Sequence, residues 1–262
     1  MKRVLNRHNV EPCILHLPGD GLLKFESTIS YLKNKKFDVK NKNKLLFLTI
    51  CTPDIDSPLI YQLKNNNLYY VNLFDYIKDD IYKFNTSWNW MYKHIALNRY
   101  FKQHPKIHDD TVVLLLDARD IYLNNIDNIY ESFMSKHRNH ILFCGSKSDY
   151  PNSISDGPNY KVLQTVKSTF PVFLNAGGII TKKYKLVKLV NKLLECNRTG
   201  YCDDYKLKKS LINDDQYLCK IIQQYIPKGF ESYEIAIDDI CDFFQVLCLN
   251  QLIDTPDNFI CT

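Results

Sequence analysis

The sequence predicts an α/β fold in which a mostly parallel central sheet is flanked by helices. Short apolar runs alternate along the chain with longer stretches of helical period, which is typical of such a sheet. The length of 262 residues fits one domain of this class. We therefore expect one main domain over residues 44–262, preceded by an N-terminal segment, 1–43, that ends in a basic linker.

Five apolar runs are the strand candidates. They are rich in Leu, Ile, Val, Phe and Tyr, and they lie at 45–51, 68–73, 111–117, 140–144 and 172–180. In an open sheet of this kind, ligands bind beyond the carboxyl ends of the strands. Polar residues that follow these runs are therefore the first candidates for a functional site.

Three segments carry apolar side chains at helical spacing. Residues three and four apart lie on the same face of a helix, so each stripe predicts one helix with an apolar face. The stripes are Leu186, Leu189, Val190, Leu193 and Leu194; Tyr217, Leu218, Ile221, Ile222 and Tyr225; and, over 88–103, Trp88, Met91, Ile95 and Phe101.

The basic residues are concentrated near the start of the chain. Residues 1–44 contain ten Lys and Arg against four Asp and Glu, whereas the whole chain has 34 against 29. The remainder is close to neutral, which argues against a nucleic-acid groove across the fold. The lysine-rich stretch 33–44 lacks an apolar period and is expected to be a solvated linker.

Nine cysteines are present, and none forms a C-x-x-C pair. A zinc or redox motif is therefore not expected, and the thiols are predicted to be reduced and scattered through the core. No apolar stretch has the length of a signal peptide or of a membrane span. We expect a soluble protein without a targeting signal.

The run VVLLLDARDIYL, 112–123, ends in two aspartates, Asp117 and Asp120. Uncompensated carboxylates are costly at the end of a buried strand. If the two converge, they form a hard oxygen site suited to Mn²⁺ or Mg²⁺, with diphosphate oxygens in further positions. Alternatively, Asp117 caps the next turn and Asp120 pairs with Arg119 or a lysine.

In FLNAGGIIT, 173–181, a glycine pair interrupts a strand pattern. Such glycines mark either a bulge or a place where something approaches the backbone closely. The functional interpretation is a sugar ring against Asn175, Gly177 and Gly178. A bulge without function is the alternative.

INDDQYL, 212–218, has the pattern of a helix start. Asn213 with Gln216 three residues later predicts a capping box, and acids in the first turn suit the helix dipole. Asp214 and Asp215 could also hold sugar hydroxyls and stabilise an oxocarbenium-like centre.

His16, in ILHLPGDG, is either an ordinary hydrogen-bonded histidine or a ligand beside a tight loop.

Taken in order, LLFLTICT, LLLDARDIYL, FLNAGGIIT, NDDQYL and IDDICDFFQ resemble the glycosyltransferase domain of procollagen lysyl hydroxylases and related collagen glycosyltransferases of giant viruses. The resemblance covers residues 44 to 250. It implies a glycosyltransferase A (Rossmann-like) fold, with 44–262 as the catalytic domain. It also implies Mn²⁺ and transfer of glucose from UDP-glucose to galactosyl-hydroxylysine of collagen or a collagen-like protein.

The resemblance implies roles for single residues. Asp117 and Asp120 match the metal-binding aspartates, and Lys93 matches a lysine near the diphosphate. Asn175, Asp214 and Asp215 match the residues expected to take part in catalysis. The positions expected to contact the donor or its cofactor are Thr49, Cys51, Thr52, Trp88, Lys93, Asp117, Arg119, Gly177, Gly178, Gly19 and Lys24.

The chain departs from the family pattern at the histidine of the metal site. In the family this histidine lies near the C-terminal end of the domain, whereas here ILHLPGDG lies near the N-terminus. We therefore expect a circularly rearranged domain in which His16 completes the metal site, within one chain or across a homodimer. The family's run of aspartates is reduced here to Asp214 and Asp215 after Asn213. Tyr150 stands where the family has a tryptophan. The family's W-R-G-G segment is missing, and Trp88 or Trp90 is expected to take the place of its aromatic residue.

The reaction implied by the resemblance retains configuration, since the donor and the product linkage are both α. Asp214 or Asp215 then acts as a nucleophile or stabilises charge on the sugar. The alternatives are a galactosyltransferase that acts on hydroxylysine or another acceptor, and a non-catalytic module that binds UDP-sugar or collagen. A metal nuclease is disfavoured by the near-neutral body. A viral source would put the protein in the host cytoplasm or with the virus particle.

Overall fold

The computed structural model of the protein describes residues 3–5, 11–16, 26–84, 89–146, 173–202, 205–224, 234–238, 241–246, 252–254 and 258–261. Strands and helices alternate through most of these stretches. The strands are β1 (Arg3–Leu5), β2 (Ile14–His16), β3 (Leu45–Ile50), β4 (Tyr70–Asn72), β5 (Val112–Asp117), β6 (Ile121–Leu123), β7 (Ile141–Ser146), β8 (Phe173–Lys182), β9 (Tyr201–Cys202), β10 (Tyr205–Lys206), β11 (Ile235–Asp238), β12 (Phe244–Val246), β13 (Leu252–Asp254) and β14 (Asn258–Cys261). The helices are α1 (Glu26–Asn34), α2 (Pro58–Asn65), α3 (Lys78–Phe84), α4 (Met91–Gln103), α5 (Ile129–Lys136), α6 (Lys183–Thr199) and α7 (Asp215–Gln224).

A six-stranded sheet lies at the centre, in the order β4-β3-β5-β8-β7-β11. β3 is parallel to β4 and β5, β8 is antiparallel to β5 and β7, and β11 is parallel to β7. Five strands therefore run one way and β8 runs the other. The prediction of an α/β fold with a mostly parallel sheet is confirmed, and each of the five predicted apolar runs forms a strand of this sheet.

The central strands are apolar on both faces because both faces are covered. β3 directs Leu46 and Leu48 towards the core that contains α4, α6 and α7. Its alternate residues Leu45 and Phe47 face the core that contains α2 and α5. Successive side chains of a strand point to opposite faces, so a run without polar residues indicates a strand buried on both. The described residues of the three predicted apolar stripes lie on α6, α7 and α4, whereas Trp88 and Tyr225 lie outside the described residues.

A small sheet joins the N-terminal segment to the body of the protein. β2 lies between β12, to which it is parallel, and β6, to which it is antiparallel. β6 begins directly after Asp120, so β2 runs beside the end of the predicted metal-binding loop. β1 pairs with β14 in a separate sheet, which joins both ends of the described chain a second time.

Helix α1 and the lysine-rich stretch 33–44 pack against the domain. The side-chain amide of Gln62 on α2 donates to the carbonyls of Leu32 on α1 and Leu123 on β6, at 2.7 and 2.9 Å. In the lysine-rich stretch, Lys35 Nζ donates to Glu11 at 2.6 Å. Val39 is buried in the same core as α2. The stretch 33–44 therefore contacts the domain through both polar and apolar side chains.

Two of the cysteines are bonded to each other, which corrects the prediction that all are reduced. α6 ends at Gly200, where a φ of 74° turns the chain back. This return brings Cys202 on β9 to Cys196 in the last turn of α6, and the two form a disulfide. Cys13, Cys51, Cys144 and Cys219 are buried free thiols. Among the described helices, none combines the length and the apolar character that a membrane span requires.

Candidate metal centre

Three side chains that are far apart in sequence meet at the carboxyl edge of the central sheet. Asp117 is the last residue of β5, and Asp120 lies three residues later, just before β6. His16 is the last residue of β2 and pairs with Ile121. His16 Nε2 lies 3.3 Å from Asp120 Oδ2. One ligand atom from each of His16, Asp117 and Asp120 lies within 4.8 Å of the others.

This cluster is buried on one side and open on the other. His16 is 4% exposed, whereas the side chains of Asp117 and Asp120 are 24% and 21% exposed. Burial raises the pKa of Asp117, although the charges of Lys93 and His16 oppose the shift. His16 Nδ1 has no hydrogen-bond partner among the described residues. Two carboxylates and one imidazole that face the same opening form a donor set for a divalent cation.

Gly177 on β8 forms the wall of this cluster. A Cβ at this position would lie 2.6 Å from His16 Cε1, 3.0 Å from Asn175 Oδ1 and 3.1 Å from Asp117 Oδ2. Real Cβ atoms do not approach a carbon as closely as 2.6 Å. The absence of a side chain at Gly177 is therefore what allows the histidine and the aspartates to meet.

The glycine pair lies in a break of the β-ladder. Phe143 pairs with Ile179, but the next residue, Cys144, pairs with Asn175, so 176–178 bulge out of register. Asn175 Oδ1 accepts the Gly177 N–H at 2.8 Å, which fixes the bulge. The glycine pair was predicted to mark either a bulge or a place where a ligand approaches the backbone. The bulge is present, and it brings the backbone of β8 beside His16 and Asp117.

Lys93, on the first turn of α4, connects the cluster to α7. It is 2% exposed, and its Nζ lies 2.8 Å from Asp215 Oδ2, 3.3 Å from Asp117 Oδ1 and 3.1 Å from the Ala176 carbonyl. Burial disfavours its charge, but the charges of Asp117 and Asp215 outweigh this and raise the pKa of Lys93. Lys93 is therefore a fixed cation between two carboxylates.

Asp215 is held by a second donor that the sequence did not indicate. His94 Nε2 lies 3.1 Å from the same oxygen, Asp215 Oδ2, and His94 is fully buried. Burial opposes ionisation of Asp215, but the charge of Lys93 and the hydrogen bond from His94 lower its pKa below the usual range. The structure therefore keeps Asp215 ionised in the interior.

The N-terminal cap of α7 is Asp214, which corrects the prediction of Asn213. Asp214 Oδ1 accepts the Tyr217 N–H at 2.9 Å. The side chain of Asn213 is instead hydrogen-bonded to Asn197 Nδ2 at 3.2 Å. Gln216 Oε1 reaches the Ala176 N–H at 3.4 Å rather than closing a capping box. Asp214 thus has a structural role, while Asp215 points to Lys93 and His94.

The end of β3 and the residues after it, where Thr49, Cys51 and Thr52 were predicted to contact the donor, are held by Asn72, a residue that sequence reasoning also missed. The Asn72 side chain accepts the Cys51 N–H at 3.0 Å and donates to the Cys51 carbonyl at 2.8 Å. Thr49 and Cys51 are buried, whereas Thr52 is partly exposed. Thr52 is therefore the residue among these three whose side chain is accessible.

A groove of about 780 Å³ borders the loop between Asp117 and Asp120. Arg119 is exposed at its edge, and Lys33 on α1 lies across from residues of α2. Burial raises the pKa of Tyr122, which also lines the groove, to about 12, with smaller contributions from Asp56 and Asp120. The groove is therefore lined by two cations, Lys33 and Arg119, against one carboxylate, Asp56, and by two phenols, Tyr61 and Tyr122.

Three of the predicted donor-contacting residues, Gly19, Lys24 and Trp88, lie outside the described residues, as does Tyr150. Trp90, the other aromatic candidate, is 47% exposed and precedes α4.

No protein-family model and no curated protein matches this chain. The functional assignment therefore depends on the geometry of the site and on the resemblance of the sequence motifs.

Proposed function

We propose that this protein is a Mn²⁺-dependent retaining glycosyltransferase with a glycosyltransferase A fold, which transfers glucose from UDP-glucose to galactosyl-hydroxylysine of a collagen-like protein. The observation that carries the proposal is the convergence of His16, Asp117 and Asp120 at the carboxyl edge of the sheet. Ligands of open α/β sheets bind at this edge. The ordered motif resemblance supplies the identity of the donor and the acceptor.

The three side chains fit a Mn²⁺ ion. Carboxylate and imidazole are both ligands that Mn²⁺ accepts, and their donor atoms lie within 4.8 Å of one another. Gly177 leaves free the space that a Cβ would fill beside His16 and Asp117. When bound by these residues, Mn²⁺ would supply positive charge for a departing diphosphate.

Besides the metal ion, the side chain of Lys93 supplies positive charge for the departing diphosphate. Three hydrogen-bond acceptors hold its Nζ, and its raised pKa keeps it charged. A charge that is fixed before the reaction requires no reorganisation when negative charge develops. Lys93 therefore stabilises the diphosphate electrostatically and has no need to transfer a proton.

The nucleotide is proposed to lie in the groove beside the Asp117–Asp120 loop. Arg119 and Lys33 provide positive charge there, Tyr122 provides a hydroxyl donor, and Tyr61 provides an aromatic surface that is 48% exposed. Thr52 follows the pinned end of β3 and is accessible. These groups suit an anionic ligand that carries an aromatic base.

Asp215 suits stabilisation of a positively charged sugar better than covalent attack on it. Its lowered pKa and its two hydrogen bonds at Oδ2 make it a weak nucleophile. Asp214 uses Oδ1 to cap α7, so it presents only its second oxygen to a ligand. Asn175 uses its oxygen for Gly177, which leaves its amide nitrogen to donate to a sugar hydroxyl. We therefore favour attack on the same face as departure, with Asp215 stabilising charge.

The decisive experiment measures release of UDP from UDP-glucose by the purified protein, with and without Mn²⁺ and a galactosyl-hydroxylysine peptide. We expect release that needs both additions and is lost in Asp117→Asn and Asp120→Asn. Asp110→Asn is the matched control, because Asp110 is 60% exposed and pairs with Lys182 rather than with the cluster. Normal release from the Asp117 and Asp120 variants would refute the proposal.

The same assay separates the alternative functions. Turnover of UDP-galactose with a hydroxylysine peptide, but not of UDP-glucose, indicates a galactosyltransferase. Binding of UDP that depends on Mn²⁺, without turnover of any UDP-sugar in a panel, indicates a non-catalytic module. Failure to bind both Mn²⁺ and UDP excludes all three.

A further inference from the structure

We infer that His94 is a positioning residue, which holds Asp215 in the orientation that sugar transfer requires. This inference rests on the proposed function and assigns a residue for which the sequence motifs give no role. His94 lies at 0% exposure on α4, directly after Lys93, and its single hydrogen-bonding contact among the described residues is Asp215.

Two consecutive residues of one helix converge on a single oxygen. Lys93 Nζ and His94 Nε2 lie 2.8 and 3.1 Å from Asp215 Oδ2. Asp215 is the first residue of α7 and is itself buried, and both helices pack in the same core. Two donors at Oδ2 fix the rotation of the carboxylate and leave Oδ1 as the oxygen that can face a substrate.

The two donors have different duties. Lys93 is shared with Asp117, so its position also follows the metal-site carboxylate. His94 contacts Asp215 alone, so it holds the carboxylate independently of the metal site. Lys93 therefore provides charge, whereas His94 provides orientation.

The surroundings of His94 select one form of its ring. Nδ1 is buried and has no partner among the described residues. A buried N–H without a partner is expensive, whereas an N–H on Nε2 has Asp215 Oδ2 at 3.1 Å as its acceptor. The geometry therefore favours a proton on Nε2, where it donates to Asp215.

The test compares three replacements of His94 in the full chain. Gln places an amide N–H near the position of Nε2, whereas Asn is too short to reach Asp215 and Leu has no donor. With Mn²⁺, UDP-glucose and the galactosyl-hydroxylysine peptide, we expect kcat to fall by about 10–100-fold in His94→Leu and His94→Asn, the range for lost supporting hydrogen bonds. The KM for UDP-glucose and the affinity for Mn²⁺ should stay within about twofold, and His94→Gln should recover most of kcat.

A remote histidine and a spectroscopic measurement complete the design. His104→Leu, at the C-terminal end of the same helix and in contact with Tyr76, should keep wild-type kinetics. Nitrogen NMR of His94 should report a proton on Nε2, the nitrogen that lies 3.1 Å from Asp215 Oδ2. If His94→Leu fails to fold, His94→Asn against His94→Gln carries the comparison.

The outcomes separate this inference from the proposed function. Wild-type kcat in His94→Asn, or an Nε2 that carries no proton, overturns the positioning role while the wild type still transfers sugar. An equal loss in kcat for the Gln, Asn and Leu variants also overturns it, because the donated hydrogen bond would then not matter. A wild-type protein that releases no UDP removes the proposed function and, with it, this role.

Discussion

Replacing Gly177 with alanine should act on the metal site chiefly through His16, with a smaller effect on Asp117, whose Oδ2 would lie 3.1 Å from the new Cβ. A new Cβ would lie 2.6 Å from His16 Cε1, whereas carbon atoms pack best at about 3.5–4.0 Å. The ring must therefore move by about 1 Å. Gly177 does not have a positive φ, so alanine brings no backbone strain of its own.

A displacement of this size is large for a metal ligand. Metal–ligand distances vary by only about 0.2 Å, and His16 is confined within β2 between β6 and β12. The variant should therefore lose the histidine ligand and bind Mn²⁺ about 10–100-fold more weakly. This corresponds to about 1.4–2.8 kcal/mol of binding free energy.

Titration calorimetry with Mn²⁺ on wild type, Gly177→Ala, His16→Ala and the double variant measures this effect. In the His16→Ala background there is no ring to displace and only the looser contacts with Asn175 and Asp117 remain, so the added methyl group should cost less and the two effects should not add fully. Gly200→Ala is the control: nothing lies within 4 Å of its Cβ, but its φ of 74° makes alanine strained. That variant should melt earlier and bind Mn²⁺ normally. Additive losses in the double variant, or unchanged affinity in Gly177→Ala, would refute the steric argument.

Three further predictions concern stability. Burial raises the pKa of Asp238 to about 6, despite hydrogen bonds from the backbone of 242–244. The folded protein thus holds this proton more tightly than the unfolded chain, so the contribution of Asp238 is greatest below about pH 4 and falls by roughly 3 kcal/mol as the pH rises through about 6. The free energy of unfolding in urea, measured at about pH 4 and above about pH 6, should fall with pH more steeply for wild type than for Asp238→Asn. The same dependence on pH in both proteins would contradict the assignment. Reducing the Cys196–Cys202 disulfide should lower the free energy of unfolding by about 2 kcal/mol. Thermal melting with and without dithiothreitol measures this effect. The double serine variant is the control, and its melting temperature should not respond to the reductant. Lys93→Met removes the cation that Asp117 and Asp215 share and should cost about 3–5 kcal/mol. Chemical denaturation should show partial recovery when Asp215→Asn is added, and no recovery would argue against the pairing.

The sequence predicted those strands and helices correctly whose pattern of apolar residues follows directly from burial in the folded protein. The run that ends at Asp117 is apolar because β5 is covered on both faces, and the same run placed the aspartate at the carboxyl edge of the sheet. The apolar stripe of α7 was also readable, since Tyr217 and Leu218 are fully buried. In these elements the period of the side chains is a direct consequence of burial.

Other features depend on contacts that no short window contains. β2 is only three residues long, and it is a strand because it pairs with β12, more than two hundred residues away. The cap of α7 differs by one position because Asn213 is engaged by Asn197. His94 has no motif of its own, and its importance follows from Asp215, which only the packing of α4 and α7 brings close.

The pairing of β2 with β12 also bears on how the protein is made. During synthesis His16 leaves the ribosome more than two hundred residues before β12, its parallel partner strand, and contacts of such long separation form slowly. Until β12 emerges, β2 can pair with β6 alone, so the histidine is held on one side of the small sheet. Cation binding would consequently report that synthesis has passed β12, and fragments that end before this strand should bind the ion weakly.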